Sequence, residues 1–231
     1  MATTLYDLAG SDPAHRFSPY CWRTKMALAH KGVAFEAVPW RFTDREAIAF
    51  SGQGKVPILV HEGTTISDSA RIADYLEERY PDAPSLFGGP EAQALTQFVA
   101  SWTAVTLHAA IARFVLSDVI GTLAEQDHAY FRESREAAFG MTLEEVTADR
   151  EVNLPLFRQS LSPLRHMLKT QPYLGGDVPL YADYIVFGAF QWARTVSRFE
   201  LLETDDPVHG WRERLLDAFD GLGRRAPCYP G

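Results

Sequence analysis

The chain has 231 residues, 46% of them hydrophobic and 12% aromatic, which is enough to bury a core without a disulfide or a structural metal. Its formal net charge of -8, from 30 acidic and 22 basic residues, would repel a phosphate backbone, so we expect no nucleic-acid partner. Cys21 and Cys228 lie at opposite ends of the chain and offer neither a disulfide framework nor a zinc-ligand cluster. We therefore expect one or two globular domains and no bound metal.

The start of the chain has no basic region followed by an apolar stretch, and no later run approaches the ~20 apolar residues that a bilayer span requires. Two widely separated cysteines also fit a reducing compartment. The sequence therefore predicts a cytoplasmic protein without a membrane span.

The first eighty residues predict a mixed α/β domain that begins with a β-α-β unit. A strand over Thr3–Leu8 leads into a helix over Pro19–His30, which Lys31-Gly32 ends. A second strand follows over Phe35–Trp40, and a short helix over Thr43–Phe50.

Two more strands and a helix complete this half of the chain. After a glycine-rich break, Val56–Val60 predicts a buried strand, and Glu62-Gly63 turns the chain into a returning strand over Thr64–Ile66. Ser67-Asp68-Ser69 opens a helix with apolar residues at helical spacing, and Pro81 stops it.

Proline and glycine then interrupt the chain at Pro81-Asp82-Ala83-Pro84 and Gly88-Gly89-Pro90, and strand patterns almost vanish. This change predicts a domain boundary near residue 85, with domains over 1–84 and 90–231. Helices are predicted in the second domain over Glu91–Ile120, Leu143–Arg150, Leu156–Leu168, Tyr181–Val196 and Pro207–Phe219.

The segment Ser18-Pro19-Tyr20-Cys21 lies where the first loop meets the first helix. Serine at the N-cap and proline at the first helical position are favoured there on local grounds, so the segment could be only a helix start. However, this helix follows the first strand of a β-α-β unit, where backbone N–H groups and the helix dipole favour an anion.

Several motifs carry a resemblance to a known family. The N-terminal order of elements, Val56-Pro57 before a buried strand and Ser67-Asp68-Ser69 at a helix start resemble the soluble glutathione transferases. A second set resembles their bacterial β-etherases of lignin breakdown and the serine-type fungal relatives: Ser18-Pro19-Tyr20, Trp22-Arg23-Thr24-Lys25, Ala182-Asp183-Tyr184 and Asp220-Gly221-Leu222-Gly223-Arg224. The resemblance implies an α/β thioredoxin-like N-terminal domain followed by an all-α C-terminal domain, the glutathione transferase fold.

The resemblance also implies where glutathione, the co-substrate, binds. Ser18 would meet the glutathione sulfur, and the backbone of Val56 would pair with the cysteinyl part beside a cis Pro57, as an edge strand pairs with a peptide. From the residues alone, Pro57 could equally be a trans proline that begins a strand.

Four further residues complete the implied glutathione site. Asp68 and Ser69 would contact the γ-glutamyl end, and Lys55 or Gln53 the glycyl carboxylate. Without the resemblance, Asp68-Ser69 could be a helix cap with no ligand.

The contribution required of Ser18 can be estimated. A thiol of pKa ~8.5 must gain ~2.7 kcal/mol of preferential thiolate stabilisation for its pKa to fall by ~2 units. A helix dipole gives about 0.3–1 kcal/mol and a hydrogen bond to a charged group about 1.5–3. We therefore expect Ser18, with the N–H groups of the first turn, to stabilise the thiolate and not to act as nucleophile or base.

Cys21 raises an alternative, because two cysteines at this helix start, two residues apart, make a dithiol oxidoreductase. The first of those positions is Ser18 here, so the disulfide cycle lacks its attacking thiolate. Burial as a small apolar group is the expectation for Cys21.

Aromatic residues could supply the hydrophobic substrate site, although aromatic residues at helical spacing also simply pack in a core. The candidates are Phe17, Trp40, Trp102, His108, Phe114 and Tyr130. One departure from the family pattern is Leu180, three residues before Asp183, where a Ser or Thr usually completes a capping box.

The predicted function is attack of the glutathione thiolate on a hydrophobic, aromatic electrophile, with cleavage of β-aryl ethers as the specific reaction and a homodimer as the assembly the resemblance implies. A general conjugating or dehalogenating transferase, a noncatalytic glutathione-binding protein and a thiol oxidoreductase are the alternatives.

Overall fold

The structure is a computed structural model that describes residues 3–229. The N-terminal half contains a four-stranded sheet in the order β2-β1-β3-β4. Its strands are β1 (Thr4–Leu8), β2 (Glu36–Trp40), β3 (Ile58–His61) and β4 (Thr64–Ser67). β1 runs parallel to β2 and antiparallel to β3, which pairs antiparallel with β4, so the sheet is mixed.

The helices of this half are α1 (Pro19–His30) and α2 (Ser69–Arg79), with a 3₁₀ helix over Glu46–Ser51. The predicted β-α-β, α, β-β-α order is confirmed. The third strand begins at Ile58 and not at Val56, so Val56 and Pro57 lie in the loop that enters the strand.

The C-terminal half is helical throughout its described part. Its α-helices are α3 (Pro90–Trp102), α4 (His108–Val119), α5 (Glu125–Phe139), α6 (Leu143–Thr147), α7 (Arg150–Ser160), α8 (Ser162–Met167), α9 (Tyr181–Val196) and α10 (Pro207–Gly221). A π-helical turn over Thr103–Leu107 joins α3 to α4. The α/β thioredoxin-like domain followed by an all-α domain is therefore confirmed as the fold.

Two helix predictions were wrong in detail. The helix α5 was not predicted, because its sequence is largely polar and only Asp127 and Phe131 are buried on it. The single helix expected over Leu156–Leu168 is two helices, since the chain turns at Leu161 and Pro163 starts the second in its first turn.

The helical segment Pro90–Thr122 has 33 residues and a mean hydropathy of 1.5 in its most apolar window, so length and composition alone would allow it to cross a membrane. This differs from our expectation that no such run exists. In the structure its second half packs against α6 and α9, with Ile111 and Val115 fully buried, which is typical of a core helix.

Close packing of α1 against α9 joins the two halves. Gly188 of α9 faces the carbonyl oxygen of Pro19, and a Cβ atom at position 188 would lie 2.4 Å from that oxygen. The hydroxyl of Tyr181, also on α9, donates a 2.7 Å hydrogen bond to the carbonyl oxygen of Ser69 at the start of α2. The helical half therefore supports the N-terminal ends of both α1 and α2.

Candidate active site

Ser18 is the N-cap of α1 and is 4% exposed. Its Oγ accepts a 3.3 Å hydrogen bond from the backbone N–H of Cys21, as the N-cap preference predicts. Pro19 occupies the first helical position and has no N–H to satisfy. Since Ser18 lines a cavity, its hydroxyl can serve a ligand as well as the cap.

Cys21 is fully buried one turn into α1. Burial, together with the negative charge of Asp7, raises the pKa of the Cys21 thiol far above its ordinary value. The thiol is therefore protonated at neutral pH and has no access to a disulfide partner. Cys21 and Cys228 are both free, and within residues 3–229 no three His, Cys, Asp or Glu side chains cluster as a metal site would require.

A cavity of about 310 Å³ lies beside the start of α1, where the loop before β3 meets the start of α2. All the residues proposed from the sequence for glutathione except Ser18 line this cavity, namely Gln53, Lys55, Val56, Pro57, Asp68 and Ser69. Tyr20 completes its wall. The structure thus brings two separate sequence motifs to one place.

Within residues 3–229, the backbone of Val56 and the second carboxylate oxygen of Asp68 are free for a ligand. The peptide bond between Val56 and Pro57 is cis, and no hydrogen bond to the backbone of Val56 is found within residues 3–229. Asp68 caps α2 through one carboxylate oxygen, which accepts hydrogen bonds from the N–H groups of Ala70 and Arg71 at 2.8 and 3.3 Å. A peptide with both charged ends and free amides fits such a cavity.

A second, larger cavity of about 460 Å³ adjoins the first and shares Tyr20, Lys55 and Val56 with it. Ser18 lies in its wall. Of the aromatic candidates, Phe17, Trp40, His108 and Tyr130 line this cavity, as predicted.

The other two candidates are not in the cavity wall. Trp102 packs against the core from α3, and Phe114 is buried in an aromatic cluster with Phe157 and Phe199, with ring centroids 5.0 and 5.8 Å away. Trp102 and Phe114 lie on helices, as some of the lining residues do. Only the direction in which each side chain points separates the buried candidates from those in the cavity wall.

Sequence reasoning missed several lining residues, namely Phe42, Ala112, Leu116, Phe131, Arg135, Phe139 and Trp192. Three of them lie on α5, the helix that was not predicted. Phe42 links the two sides of the cavity, since its ring lies 6.3 Å from that of Phe17 and 5.9 Å from that of Phe131. A helix assignment for 125–139 would have placed Phe131 and Arg135 one turn apart on one face.

His108 lies in the cavity wall between Tyr20 and Trp192, with ring centroids 5.4 and 6.2 Å away. Burial, with a smaller contribution from the charge of Arg23, lowers the pKa of His108 to about 4. Its imidazole is neutral at pH 7, and Nε2 has no hydrogen-bond partner in the described part of the chain. It can therefore give or accept one hydrogen bond toward a substrate.

Asp183 holds the loop before α9. Its carboxylate accepts hydrogen bonds from the N–H groups of Leu174, Gly175 and Leu180 at 2.7, 3.0 and 3.0 Å, and from Nε1 of Trp211 at 2.8 Å. Leu180 offers no side-chain acceptor in return, so half of a capping box is absent, as its sequence predicts. The loss is local, because the other donors satisfy the carboxylate.

A thioredoxin-like domain with a polar cavity at its first helix, adjoining a larger and mostly apolar cavity beside a helical domain, defines a class of two-domain proteins. Comparison with known proteins agrees with this class. Residues 14–84 match the glutathione S-transferase N-terminal domain, and residues 94–221 match the glutathione S-transferase C-terminal domain. The chain belongs to the glutathione S-transferase family, which binds glutathione.

Individual relatives support this assignment. Glutathione S-transferase U28 of Arabidopsis thaliana is 31% identical over 207 residues, which cover 87% of this chain and 81% of the relative. Glutathione transferase GSTFuA3 of Phanerochaete chrysosporium superimposes with a TM-score of 0.80 at 24% identity, over 96% of this chain and 97% of its own.

A glutathione S-transferase of Ceriporiopsis subvermispora, in complex with glutathione, superimposes with a TM-score of 0.77 at 24% identity, over 95% and 97% of the two chains. At such identity these structures show the common fold. None of these three relatives is named as a β-etherase, so the finer subgroup expected from the sequence stays a prediction.

Proposed function

We propose that this glutathione transferase uses the glutathione thiolate to attack a hydrophobic, aromatic electrophile. The observation that carries the proposal is the position of Ser18 in the wall of the larger cavity, at the side where the two cavities share Tyr20, Lys55 and Val56. A sulfur bound beside Ser18 would face a cavity lined mostly by aromatic and aliphatic side chains, which suits an apolar substrate.

Glutathione is assigned to the smaller cavity by its charges. Its α-ammonium would pair with Asp68 and Ser69, its glycyl carboxylate with Lys55 or Gln53, and its cysteinyl amide with the free backbone of Val56 beside Pro57. Neither Lys55 nor Asp68 has an ion-pair partner among residues 3–229, so both charges are available. The sulfur would then lie at the start of α1, within reach of Ser18.

The reaction follows from these positions. The hydrogen bond from Ser18, the dipole of α1 and the backbone N–H of Tyr20, which has no hydrogen-bond partner within residues 3–229, would lower the thiol pKa, and the proton leaves to solvent. The thiolate attacks the electrophilic carbon, a C–S bond forms, and the bond to the leaving group breaks with its electron pair.

For a β-aryl ether the leaving group is a phenolate, which takes up a proton, so glutathione and the ether give a thioether and a phenol. This specific reaction, and with it a role in lignin breakdown in the cytoplasm, is the finer proposal. For a halogenated substrate the leaving group is a halide, and that conjugating or dehalogenating activity is its nearest alternative. The buried, protonated Cys21 argues against a thiol oxidoreductase.

The thiolate absorbance of enzyme-bound glutathione tests the mechanism. We expect the bound thiol to titrate ~1–2 pH units below free glutathione, since one charged hydrogen bond and a helix N-terminus supply about that much free energy. A bound thiol that titrates like free glutathione would refute the transferase mechanism and favour a noncatalytic binding protein. Product analysis with a β-aryl ether and an aryl halide then separates the two leaving groups.

We also propose that the protein is a homodimer. The apolar side chains of Leu95, Phe98 and Val105 follow one another at helical spacing from α3 into the π-helical turn and are 71%, 73% and 76% exposed. In the first domain, Phe50 is 53% exposed. In a two-fold dimer, the first domain of each copy would pack against the helical domain of the other. Both apolar surfaces would then be buried in each copy.

A further inference from the structure

The larger cavity has a guanidinium group in its largely apolar wall. Arg135 lines the cavity from α5, together with Tyr130, Phe131 and Phe139 of the same helix. The Cζ atom of Arg135 lies 5.1 Å from the ring centroid of Phe131 and 5.8 Å from that of Phe42. The charge therefore lies against two aromatic rings, within the space proposed for the substrate.

Arg135 has no counter-ion within the described chain. Across residues 3–229 no carboxylate lies within ion-pair distance of its guanidinium, and its one side-chain hydrogen bond runs from Nη1 to Oγ of Ser134 at 3.1 Å. One turn earlier on the same helix, Arg132 instead pairs with Glu136 and Glu144 at 2.7 and 2.8 Å. Burial lowers the pKa of Arg135, although a guanidinium stays charged at neutral pH. A partly buried cation without a partner costs free energy that an anionic ligand would offset.

Arg135 and Ser18 line the same cavity, so one ligand could contact both. Phe17, which precedes Ser18, lies 6.3 Å from Phe42 between ring centroids, and the Cζ atom of Arg135 lies 5.8 Å from the same Phe42 ring. Ser18 and Arg135 thus lie in the wall of one cavity, together with Phe17 and Phe42. An aryl group placed along these rings would present one end to the sulfur and the other to Arg135.

We propose that the preferred substrates are aromatic electrophiles that carry a carboxylate, which Arg135 binds while the reacting carbon faces Ser18. This proposal rests on the proposed transferase function and names its substrate class. A carboxylate matches the planar fork of the guanidinium, which can donate two parallel hydrogen bonds to it. The second cation of the cavity wall, Lys55, is assigned to glutathione, so Arg135 is the group left for the substrate.

A matched pair of substrates tests the proposal by kinetics. We would compare 4-chloro-3-nitrobenzoate with its methyl ester, which differ in one negative charge. In both, the thiolate attacks the chlorine-bearing carbon, a C–S bond forms, and chloride leaves with the electron pair of the C–Cl bond. Arg135→Met should lower kcat/KM for the acid by roughly ten- to a hundredfold, the effect expected of a charged hydrogen bond, and lower it much less for the ester.

Two further variants control for charge and for folding. Arg45→Met removes an equal charge near the cavity, since Arg45 is exposed and its Cζ lies 6.0 Å from the Tyr130 ring, and it should leave the acid-to-ester ratio as in the parent protein. Arg135→Lys keeps the charge without the fork and should lie between the parent and Arg135→Met. Thermal unfolding of each variant identifies any loss of fold.

Equilibrium binding tests the same proposal without turnover. The conjugates of glutathione with the acid and with the ester are added to each variant, and calorimetry measures both dissociation constants. We expect the parent protein to favour the acid conjugate and Arg135→Met to lose that preference. Equal binding of the two conjugates by the parent protein, or the same ratio in Arg135→Met, would overturn this inference even if thiol titration upholds the transferase mechanism. A thiol that titrates like free glutathione would remove the transferase mechanism itself, on which the inference rests.

Discussion

At the scale of single residues, Ser18 has two tasks that use different parts of its hydroxyl group. Its oxygen accepts the capping hydrogen bond from the Cys21 N–H, and its O–H can still donate to a bound sulfur. The backbone N–H of Tyr20, which has no hydrogen-bond partner within residues 3–229, and the dipole of α1 would act on the same sulfur. Only a substitution of Ser18 separates the contribution of the hydroxyl from that of the backbone.

Ser18→Ala should raise the pKa of the bound glutathione thiol by about 1–2 units, since it removes one hydrogen bond to a charged group. Below pH 7 the rate of conjugation should fall in proportion to the thiolate fraction, and it should recover at pH 9. Spectroscopic titration and a pH-rate profile measure both effects. Cys21→Ala is the control. Because the Cys21 thiol is buried, its removal should leave the pKa of the bound glutathione thiol unchanged. If the pKa in Ser18→Ala is unchanged, the backbone amides alone stabilise the thiolate.

At the scale of secondary-structure elements, the position of α1 depends on α9, and the linker between the domains depends on α2. Gly188 allows α9 to contact the carbonyl of Pro19 directly, next to Ser18. Glu77 of α2 accepts hydrogen bonds from the Ser85 hydroxyl and from the Leu86 N–H at 2.8 Å, and pairs with Lys31 at 2.7 Å. The first contact lies at the start of α1 beside Ser18, and the second holds the linker near the opposite end of α1.

Gly188→Ala should displace the first turn of α1, because its Cβ would come within 2.4 Å of a backbone oxygen that cannot rotate away. We expect a loss of ~1–3 kcal/mol in the free energy of unfolding, as for overpacked cores, and a raised thiol pKa. Gly210→Ala on α10 is the matched control, since its nearest contact is the end of the Arg214 side chain at 3.7 Å. Chemical unfolding and thiol titration compare the two, and equal behaviour would contradict the assigned role of Gly188.

Glu77 should make stability depend on pH. Burial raises its pKa, but the hydrogen bonds from Lys31, Ser85 and Leu86 and the charge of Lys31 outweigh burial and lower the pKa below its ordinary value. A lowered folded-state pKa gives a stabilising contribution that is present above the unfolded-state value of about 4.3 and lost as the pH falls through the folded-state value.

Glu77→Gln should therefore cost about 2 kcal/mol in the free energy of unfolding at pH 7, and this difference should shrink toward pH 3. Urea unfolding at a series of pH values measures it. Glu78→Gln is the control, since Glu78 is exposed on the next position of the same helix. A pH-independent cost of Glu77→Gln would mean that the carboxylate charge is not what stabilises the linker.

At the scale of the whole molecule, exposed apolar side chains lie on both domains. In the proposed dimer these side chains would be buried in one interface between the two copies. Phe98 is 73% exposed and central in the row on α3. A charged residue in the centre of such an interface loses water without gaining a partner.

Phe98→Glu should convert a dimer of twice 25.8 kDa into a monomer, which light scattering coupled to size-exclusion chromatography detects. Leu156→Glu is the matched control, because Leu156 is an equally apolar, 65% exposed residue on α7, away from this row, and should leave the dimer intact. A parent protein that is monomeric at micromolar concentration would refute the dimer.

The order of elements in the first domain, and the residues proposed to hold glutathione, could be predicted from the sequence because their causes are local. Ser18 and Asp68 are caps, Pro19 fits the first helical position, and alternating periodicities separate strands from helices. The resemblance to a family then joined these local motifs into one site.

The wall of the substrate cavity was decided by tertiary structure alone. Phe114 and His108 lie on the same helix with similar local sequence, yet one is buried with Phe157 and the other faces the cavity, because α4 packs against different neighbours on its two sides. Helix α5 has few buried residues to mark it in the sequence, and it brings Arg135 to a cavity that begins more than a hundred residues earlier in the chain. The sequence by itself thus determines where glutathione is expected, since caps and turns are local. Which side chains receive the second substrate depends on the packing of distant helices, which no local pattern records.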